Sequence, residues 1–265
     1  MKAKKVLFIT QEIIPYVPKN NVSVLGQKLP SSIQNKGREI RTFMPKWGNI
    51  NERRNQLHEV IRLSGMNIII DETDHPLIIK VASIQPVHMQ VYFIDNDEYF
   101  QKGTEDTDDM EEDGERAIFY GRGVLETVKK LRWNPDVIHC HGWISALVPL
   151  FLRTMFSDEP VFKDAKIVFS GYKNIPSVNL GPDFGKLLQF RNIPEDVLKD
   201  YPGDFNFTEM EKLAIDYADG FVEGEAGVDP QLAAYAEEKG KKVLRFPGDD
   251  EYSAYGDFYD EITEA

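Results

Sequence analysis

Two histidines separated by one residue are the side chains best placed for chemistry in this sequence. His139 and His141 flank Cys140 in the run His-Cys-His-Gly-Trp, at the end of a short apolar segment. If that segment is a strand, both imidazoles share one face and Cys140 points to the other, as a small buried core residue. Two such histidines can bind a metal, but the sequence offers no third ligand. The structural alternative is one packed histidine and one hydrogen-bonded to a loop.

Other sequence signatures of catalysis are missing. The sequence has no Gly-x-Gly-x-x-Gly after a strand, no phosphate loop with Gly-Lys-Ser/Thr and no Gly-x-Ser-x-Gly elbow. Cys140 is the single cysteine, which excludes an internal disulfide and a multi-cysteine metal site and favours a reducing, cytoplasmic location. An acidic stretch at residues 95–116 lacks the spacing of an EF-hand. We therefore expect no metal site.

The charge of the chain argues against two classes of partner. Its 265 residues carry a formal net charge of −13. Residues 95–116 hold eleven acids against two bases, and residues 249–265 hold seven acids and no base. Such a surface disfavours nucleic acid and anionic membranes, and no apolar run reaches the ~20 residues of a membrane-spanning helix. We expect a cytoplasmic protein with neither kind of partner.

Alternating apolar and amphipathic segments predict an α/β fold, a Rossmann-like and mostly parallel sheet with flanking helices. Strands are predicted at residues 5–10, 39–44, 137–141, 166–170, 220–223 and 243–246. Helices are predicted at 22–36, 115–133 (capped by Asp113), 145–155, 209–217 and 230–239. Short β-rich runs at 57–63, 66–71, 77–83 and 89–94 predict a β-hairpin insertion.

These elements predict one domain over residues 1–248, followed by an acidic, aromatic C-terminal helix or tail at residues 249–265. Residues 101–114 are predicted to form a solvated acidic loop within that domain. The strand at 137–141 ends at the histidines. Because open α/β sheets bind ligands at the carboxyl ends of their strands, this edge is the predicted site.

Several blocks carry a resemblance to a known family. They are residues 5–15 (KVLFITQEIIP), 37–45 (GREIRTFMP), 115–126 (ERAIFYGRGVLE), 133–143 (WNPDVIHCHGW) and 213–219 (LAIDYAD). In order and spacing they resemble bacterial glycogen and starch synthases, which are two-domain glycosyltransferases of the GT-B fold. The resemblance implies a single GT-B lobe, ADP-glucose or UDP-glucose as donor, no cofactor, an α-glucan as partner, and His139 and His141 as catalytic residues.

The sequence departs from that family where substrate would bind. The family's Lys-x-Gly-Gly-Leu-x-Asp loop is replaced, with Asn20 and Asn21 at the two glycines and Lys19 one position from the lysine. Gly142 replaces the aspartate after the second histidine, and a segment ending in Tyr172-Lys173 replaces Thr-Ile-His-Asn. The resemblance thus implies a degenerate site. Its substrate-binding residues would be Lys19, Asn20, Asn21, Trp143 and Tyr172.

Everything recognisable in the 265 residues belongs to the first of the family's two domains, and we expect the acidic tail to be a natural end. One hypothesis is an acceptor-side domain that transfers glucose from a nucleotide sugar to α-1,4-glucan only when a partner lobe completes it. The alternative is a non-catalytic protein that binds α-glucan or regulates glycogen metabolism. We expect the isolated chain to be inactive. The carboxyl-end face of the sheet would serve self-association or hold the partner lobe.

Overall fold

A mixed sheet forms the centre of the molecule. The structure, a computed structural model, describes residues 3–101, 112–181, 183–201 and 205–264. The strands are β1 (Lys5–Ile9), β2 (Glu39–Pro45), β3 (His58–Glu59), β4 (Met66–Ile70), β5 (Thr73–Ile84), β6 (Met89–Asp95), β7 (Val137–His141), β8 (Lys166–Gly171), β9 (Gly220–Glu223) and β10 (Lys242–Leu244). Their order is β10-β9-β8-β7-β1-β2-β6-β5-β3, and β4 pairs with β5.

The strands from β10 to β6 run parallel, which confirms the predicted fold class. The strands β3, β4 and β6 all pair with β5 in antiparallel fashion, and this forms the predicted hairpin insertion. The run at 89–94 was predicted as part of the insertion alone. It is also the last parallel strand, because its register with β2 continues the main sheet.

Seven helices are described. They are α1 (Asn21–Asn35), α2 (Asp113–Leu131), α3 (Val148–Arg153), α4 (Phe184–Leu188), α5 (Phe207–Tyr217), α6 (Pro230–Glu238) and α7 (Tyr252–Glu264). The helix α1 ends as predicted, with Gly37 at a φ of +86° directly after the C-cap residue Lys36. The acidic tail forms α7, and its aromatic residues Tyr255, Phe258 and Tyr259 are buried.

Three local predictions are corrected by the structure. Asp113 does not cap α2; it is a buried first-turn residue whose carboxylate pairs with Arg116 at 2.6 Å. The predicted helix at 145–155 is a 3-10 turn, Trp143–Ser145, followed by α3, because Pro149 favours a new helix start there. The predicted strand at 57–63 contains only β3, since the chain turns after Val60. Most of the predicted acidic loop, residues 102–111, lies outside the described residues.

The two faces of the sheet are covered by different helices. On one face, α1 packs against α7, and Tyr259 of α7 reaches His139 on β7. On the other face, α2 brings Tyr120 beside Cys140, and α3 packs on α5. The chain leaves β1 toward β2 on one side, while β7 lies on the other side of β1. The carboxyl ends of β1 and β7 therefore form a topological switch point, where open α/β sheets bind ligands.

Candidate functional site

A cleft of about 630 Å³ opens at this edge of the sheet. Its walls come from the start of α1, the loops after β8, β9 and β10, and the first turn of α7. The polar and aromatic side chains that line it include Lys19, Asn20, Asn21, Lys28, Lys173, Glu225, Phe246, Asp249, Asp250, Tyr252 and Tyr255. Three of the predicted substrate-binding residues, Lys19, Asn20 and Asn21, are among them.

The first turn of α1 is closed by its own side chains. Asn20 is the N-cap: its Oδ1 accepts from the Ser23 backbone N–H at 2.8 Å, and Ser23 Oγ accepts from the Asn20 N–H at 2.9 Å. The Asn20 amide also donates to the buried carboxylate of Glu12. A helix N-terminus attracts anions through its unpaired N–H groups. Here the capping box and Glu12 occupy the position where an anion would bind.

Glu225 ties two walls of the cleft together. Its Oε2 accepts from the Asn21 side-chain amide at 2.7 Å, and its Oε1 accepts from the Lys173 backbone N–H at 2.9 Å. Glu225 as a whole is 8% exposed. Sequence reasoning did not single out Glu225. Its position could have indicated a site residue, because it lies two residues after a predicted strand, at the edge of the sheet where ligands bind.

The histidine pair lies beneath the cleft and is sealed from it. The two imidazole centroids are 3.8 Å apart, so both rings do point to one face as predicted. His139 Nδ1 lies 2.6 Å from the Tyr259 hydroxyl and His139 Nε2 lies 2.6 Å from Ser170 Oγ. His141 Nδ1 lies 2.8 Å from the Tyr172 hydroxyl. Among the described residues His141 Nε2 has no hydrogen-bond partner. His139 is fully buried and His141 is 2% exposed, so burial keeps both rings from the cleft.

Burial keeps both histidines neutral. It lowers the pKa of His141 from its ordinary 6.5 to about 3, and it lowers the pKa of His139 well below 6.5, with the neighbouring imidazole adding to the effect. A neutral imidazole donates from one nitrogen and accepts at the other. The hydroxyls of Tyr259, Ser170 and Tyr172 contact three of the four ring nitrogens, and His141 Nε2 is left without a partner among the described residues. The pair is therefore arranged as a packed polar network at neutral pH.

The remaining predicted residues lie apart from the cleft surface. Tyr172 is 4% exposed, and its ring lies so close to Gly224 that a Cβ there would come within 2.5 Å of it. Trp143 is 3% exposed and packs edge-on against Phe207, with centroids 5.2 Å apart. The structure thus joins Tyr172 to the histidines but does not bring Trp143 to the site. The two residues that contact His139, Tyr259 and Ser170, were not predicted as site residues, and they come from other segments of the chain.

The ionisable groups of the cleft balance one another. Its lining includes the three lysines Lys19, Lys28 and Lys173 and the three acids Glu225, Asp249 and Asp250. Within the described residues, no three His, Cys, Asp or Glu side chains are grouped as metal ligands. Over the same residues, no helix has the length and apolar character needed to cross a membrane. The cleft is thus polar and partly aromatic and carries little net charge.

Comparison with known proteins identifies relatives over most of the chain. The sequence profile of the starch synthase catalytic domain matches residues 5–222. The chain is 37% identical over 171 residues to the glycogen synthases of Pelodictyon phaeoclathratiforme and of Chlorobium phaeobacteroides. These matches cover 63% of this chain but 35% of each relative. The chain therefore spans about a third of the length of these relatives.

The fold also matches a solved structure. The catalytic domain of starch synthase IV from Arabidopsis thaliana, bound to ADP and acarbose, aligns with a TM-score of 0.74 at 18% identity. That alignment covers 93% of this chain and 51% of the plant chain. At this identity the match establishes the shared fold, which is one lobe of the GT-B architecture.

Proposed function

Since the chain belongs to the starch synthase catalytic domain family of glycosyltransferases, we propose that it is an α-glucan-binding lobe that does not transfer glucose by itself. The proposal places a segment of neutral glucan in the cleft at the carboxyl edge of the sheet. It adopts the non-catalytic alternative drawn from the sequence. The substrate class is taken from the relatives named above. The lining of the cleft is the reason for proposing binding without transfer.

The charge balance of the cleft carries the proposal. A nucleotide-sugar donor brings a diphosphate, and transfer builds further negative charge on it that preorganised cations must stabilise. Three acids offset the three lysines here, so the cleft offers no net positive field. Phe246, Tyr252 and Tyr255 add aromatic surface among polar groups, a combination typical of sites for neutral small molecules. A polyhydroxylated glucan fits this lining better than a diphosphate.

Two further observations support binding without transfer. The imidazoles of His139 and His141 are buried beneath α7 and hydrogen-bonded to hydroxyl groups, so they have no access to a reacting sugar. The N-terminus of α1 is capped by Asn20, and the carboxylate of Glu12 lies against that cap. A phosphate at this helix end would have to displace the cap and approach a carboxylate.

The test combines a binding assay with a transfer assay on the same preparation. We expect the purified chain to be retarded in a native gel containing amylopectin, and to incorporate no labelled glucose from ADP-glucose or UDP-glucose into glycogen. Tyr252→Ala should reduce the retardation, whereas Tyr217→Ala, a half-buried tyrosine outside the cleft, should leave it unchanged. Unchanged mobility of the wild-type chain would refute glucan binding, and robust incorporation would refute the absence of transfer.

One observation favours a second candidate, an acceptor-side lobe that becomes active when a second lobe completes it. His139 and His141 remain adjacent at the carboxyl end of β7, next to the switch point, where the resemblance implies catalytic residues. To test it, the second lobe of the Pelodictyon phaeoclathratiforme glycogen synthase is expressed separately and mixed with this chain. Glucose incorporation above that of either part alone would support this candidate, and incorporation no greater than the parts would eliminate it.

A further inference from the structure

Glu211 is a buried carboxyl group that nothing described so far explains. It lies on α5, is fully buried, and neither of its carboxylate oxygens has a hydrogen-bond partner among the described residues. A buried carboxyl group without donors is costly to the fold, because it has lost its hydration without replacement. Such a group therefore points to a ligand that supplies the donors.

Glu211 is one of the residues that line a cavity of about 310 Å³, separate from the cleft. This is far more than the ~30 Å³ of liquid that one water molecule occupies, and it lies at the lower end of the ~300–1,000 Å³ of ligand pockets. The polar residues Thr208, Asp229 and Lys173 also line it. Apolar surface comes from Ile175 and Leu232. The cavity therefore combines several polar groups with an apolar wall.

The charge of the cavity favours a neutral ligand. Burial and, to a smaller extent, the negative charge of Asp229 raise the pKa of Glu211 from 4.5 to about 8, so Glu211 is mostly protonated at pH 7. The ammonium group of Lys173 offsets Asp229. A protonated carboxyl group still donates one hydrogen bond and accepts others. It thus matches hydroxyl groups, which also donate and accept.

We propose that this cavity is a second sugar subsite, in which Glu211 hydrogen-bonds the hydroxyl groups of a neutral glucosyl unit. Thr208 and Asp229 supply further polar contacts, and Leu232 and Ile175 pack against the C–H face of the sugar. Lys173 lines both this cavity and the cleft, so the subsite lies beside the proposed glucan site. The inference rests on the proposed function, because it takes the ligand class from it.

The subsite is tested with maltose as the probe and methyl resonances as the readout. Maltose should shift the methyl signals of Leu232 and Ile175 in the wild-type chain. In Glu211→Leu, which has no hydrogen-bonding group, the apparent Kd from those shifts should weaken at least about tenfold. Glu209→Gln lies on the same helix but is paired with Lys212 at its surface, so it should bind as the wild type does. If Glu211→Leu does not fold, Glu211→Gln replaces it, with a smaller loss expected.

Each outcome decides the proposal. Shifts that saturate with maltose and weaken in the Glu211 variants support the subsite. Gel retardation by amylopectin without any maltose shift at Leu232 and Ile175 overturns it and leaves the glucan-binding proposal intact. Loss of both signals overturns both proposals. Shifts produced by methylammonium but not by maltose also overturn it, because they would show a cation site.

Discussion

The two histidines of β7 show how burial changes the chemistry that a side chain offers. In solution an imidazole titrates near pH 6.5 and serves as a general base at neutral pH. His141, between the rings of Phe8, His139 and Tyr172, has a pKa of about 3 and stays neutral. Its Nδ1 is hydrogen-bonded to the Tyr172 hydroxyl, and only 2% of the residue is exposed. The residue type that suggested catalysis is thus neutral and tightly packed in this structure.

The neutral histidines make stability sensitive to acid. The folded-state pKa of His141 lies below its ordinary 6.5, so the unfolded chain binds more protons between pH 6.5 and about 3. Stability is therefore lost as pH falls through this window, by up to about 1.4 kcal/mol per pH unit for this residue. His141→Asn should flatten the pH dependence of the free energy of unfolding measured in urea. His58→Asn, at an exposed histidine, should keep the wild-type slope; equal slopes in the two variants would contradict the assignment.

Glu211 predicts a pH dependence of the opposite sign. Its folded-state pKa of about 8 lies above its ordinary 4.5, so the folded chain holds a proton that the unfolded chain releases in this range. Stability due to this group is complete below pH 4.5 and falls as pH rises toward 8, by up to about 1.4 kcal/mol per unit. Glu211→Gln, which does not titrate, should therefore gain stability relative to the wild type from pH 5 to pH 8. Glu209→Gln is the matched control, and a constant difference across that range would count against the raised pKa.

At the scale of elements, the start of α1 decides what the edge of the sheet can bind. The resemblance implies a glycine-rich loop here, whose backbone would approach a substrate closely. Asn20 instead ends the loop as an N-cap, and Asn21 is drawn to Glu225. Gly26 is needed one turn later, since a Cβ there would lie 2.2 Å from the Glu12 carbonyl oxygen. The glycine at position 26 thus allows α1 to pack closely on the loop after β1.

This cap predicts a graded response to substitution. Asn20→Ala should lower the free energy of unfolding by about 1 kcal/mol, because the Ser23 N–H loses its acceptor and Glu12 loses a donor. Asn20→Gly should lower the free energy of unfolding by only about a few tenths of a kcal/mol, because glycine is itself a favourable N-cap residue. Chemical denaturation measures both, and Asn67→Ala at an exposed position of β4 provides the control. Equal losses for the Ala and Gly variants would argue against capping as the cause.

At the scale of the whole molecule, α7 completes the face of the sheet that holds the histidines. Residues 249–265 are strongly acidic, with seven acids, yet α7 has a buried apolar face. The large side chains of that face are Tyr255, Phe258, Tyr259 and Ile262. Tyr259 reaches His139, and Arg38 pairs with Asp260 at 2.9 Å. The helix α7 thus packs against α1 and β10, and Tyr259 reaches Phe8 on β1 and His139 on β7. It also separates the histidines from the cleft.

Removal of α7 should disrupt the whole fold and not only its end. A chain without residues 252–265 exposes the apolar face of α1 and the sheet, so we expect it to bind a hydrophobic dye and to lose cooperative thermal unfolding. The control is Asp257→Asn in the full chain, which changes an exposed residue of α7 and should unfold cooperatively. A truncated chain with a sharp transition near the wild-type midpoint would show that α7 is dispensable.

The fold class could be predicted because it depends on local patterns. Apolar runs such as Val137–His141 and the stripe of α2 have the periods of strands and helices, and these periods can be read from the sequence without any tertiary contact. The predictions failed where tertiary contacts override them. Asp113 reads as a cap in sequence, but its pairing with Arg116 draws it into the helix. The five-residue helix α4 was not predicted, since its apolar pattern is too short to detect.

The sequence alone determined the α/β class, the shared face of the two histidines and the buried state of Cys140, because each is encoded in local patterns along the chain. The family followed from the resemblance of several separate motifs to known proteins. Only the tertiary structure decided what those residues face. His139 meets Tyr259 across 120 residues, and Asn21 meets Glu225 across 204. Such pairs leave no periodic signal in the chain, yet they set burial, charge balance and pKa. For that reason the charge state and exposure of His139 and His141 depend on tertiary packing and could not be predicted from the His-Cys-His motif.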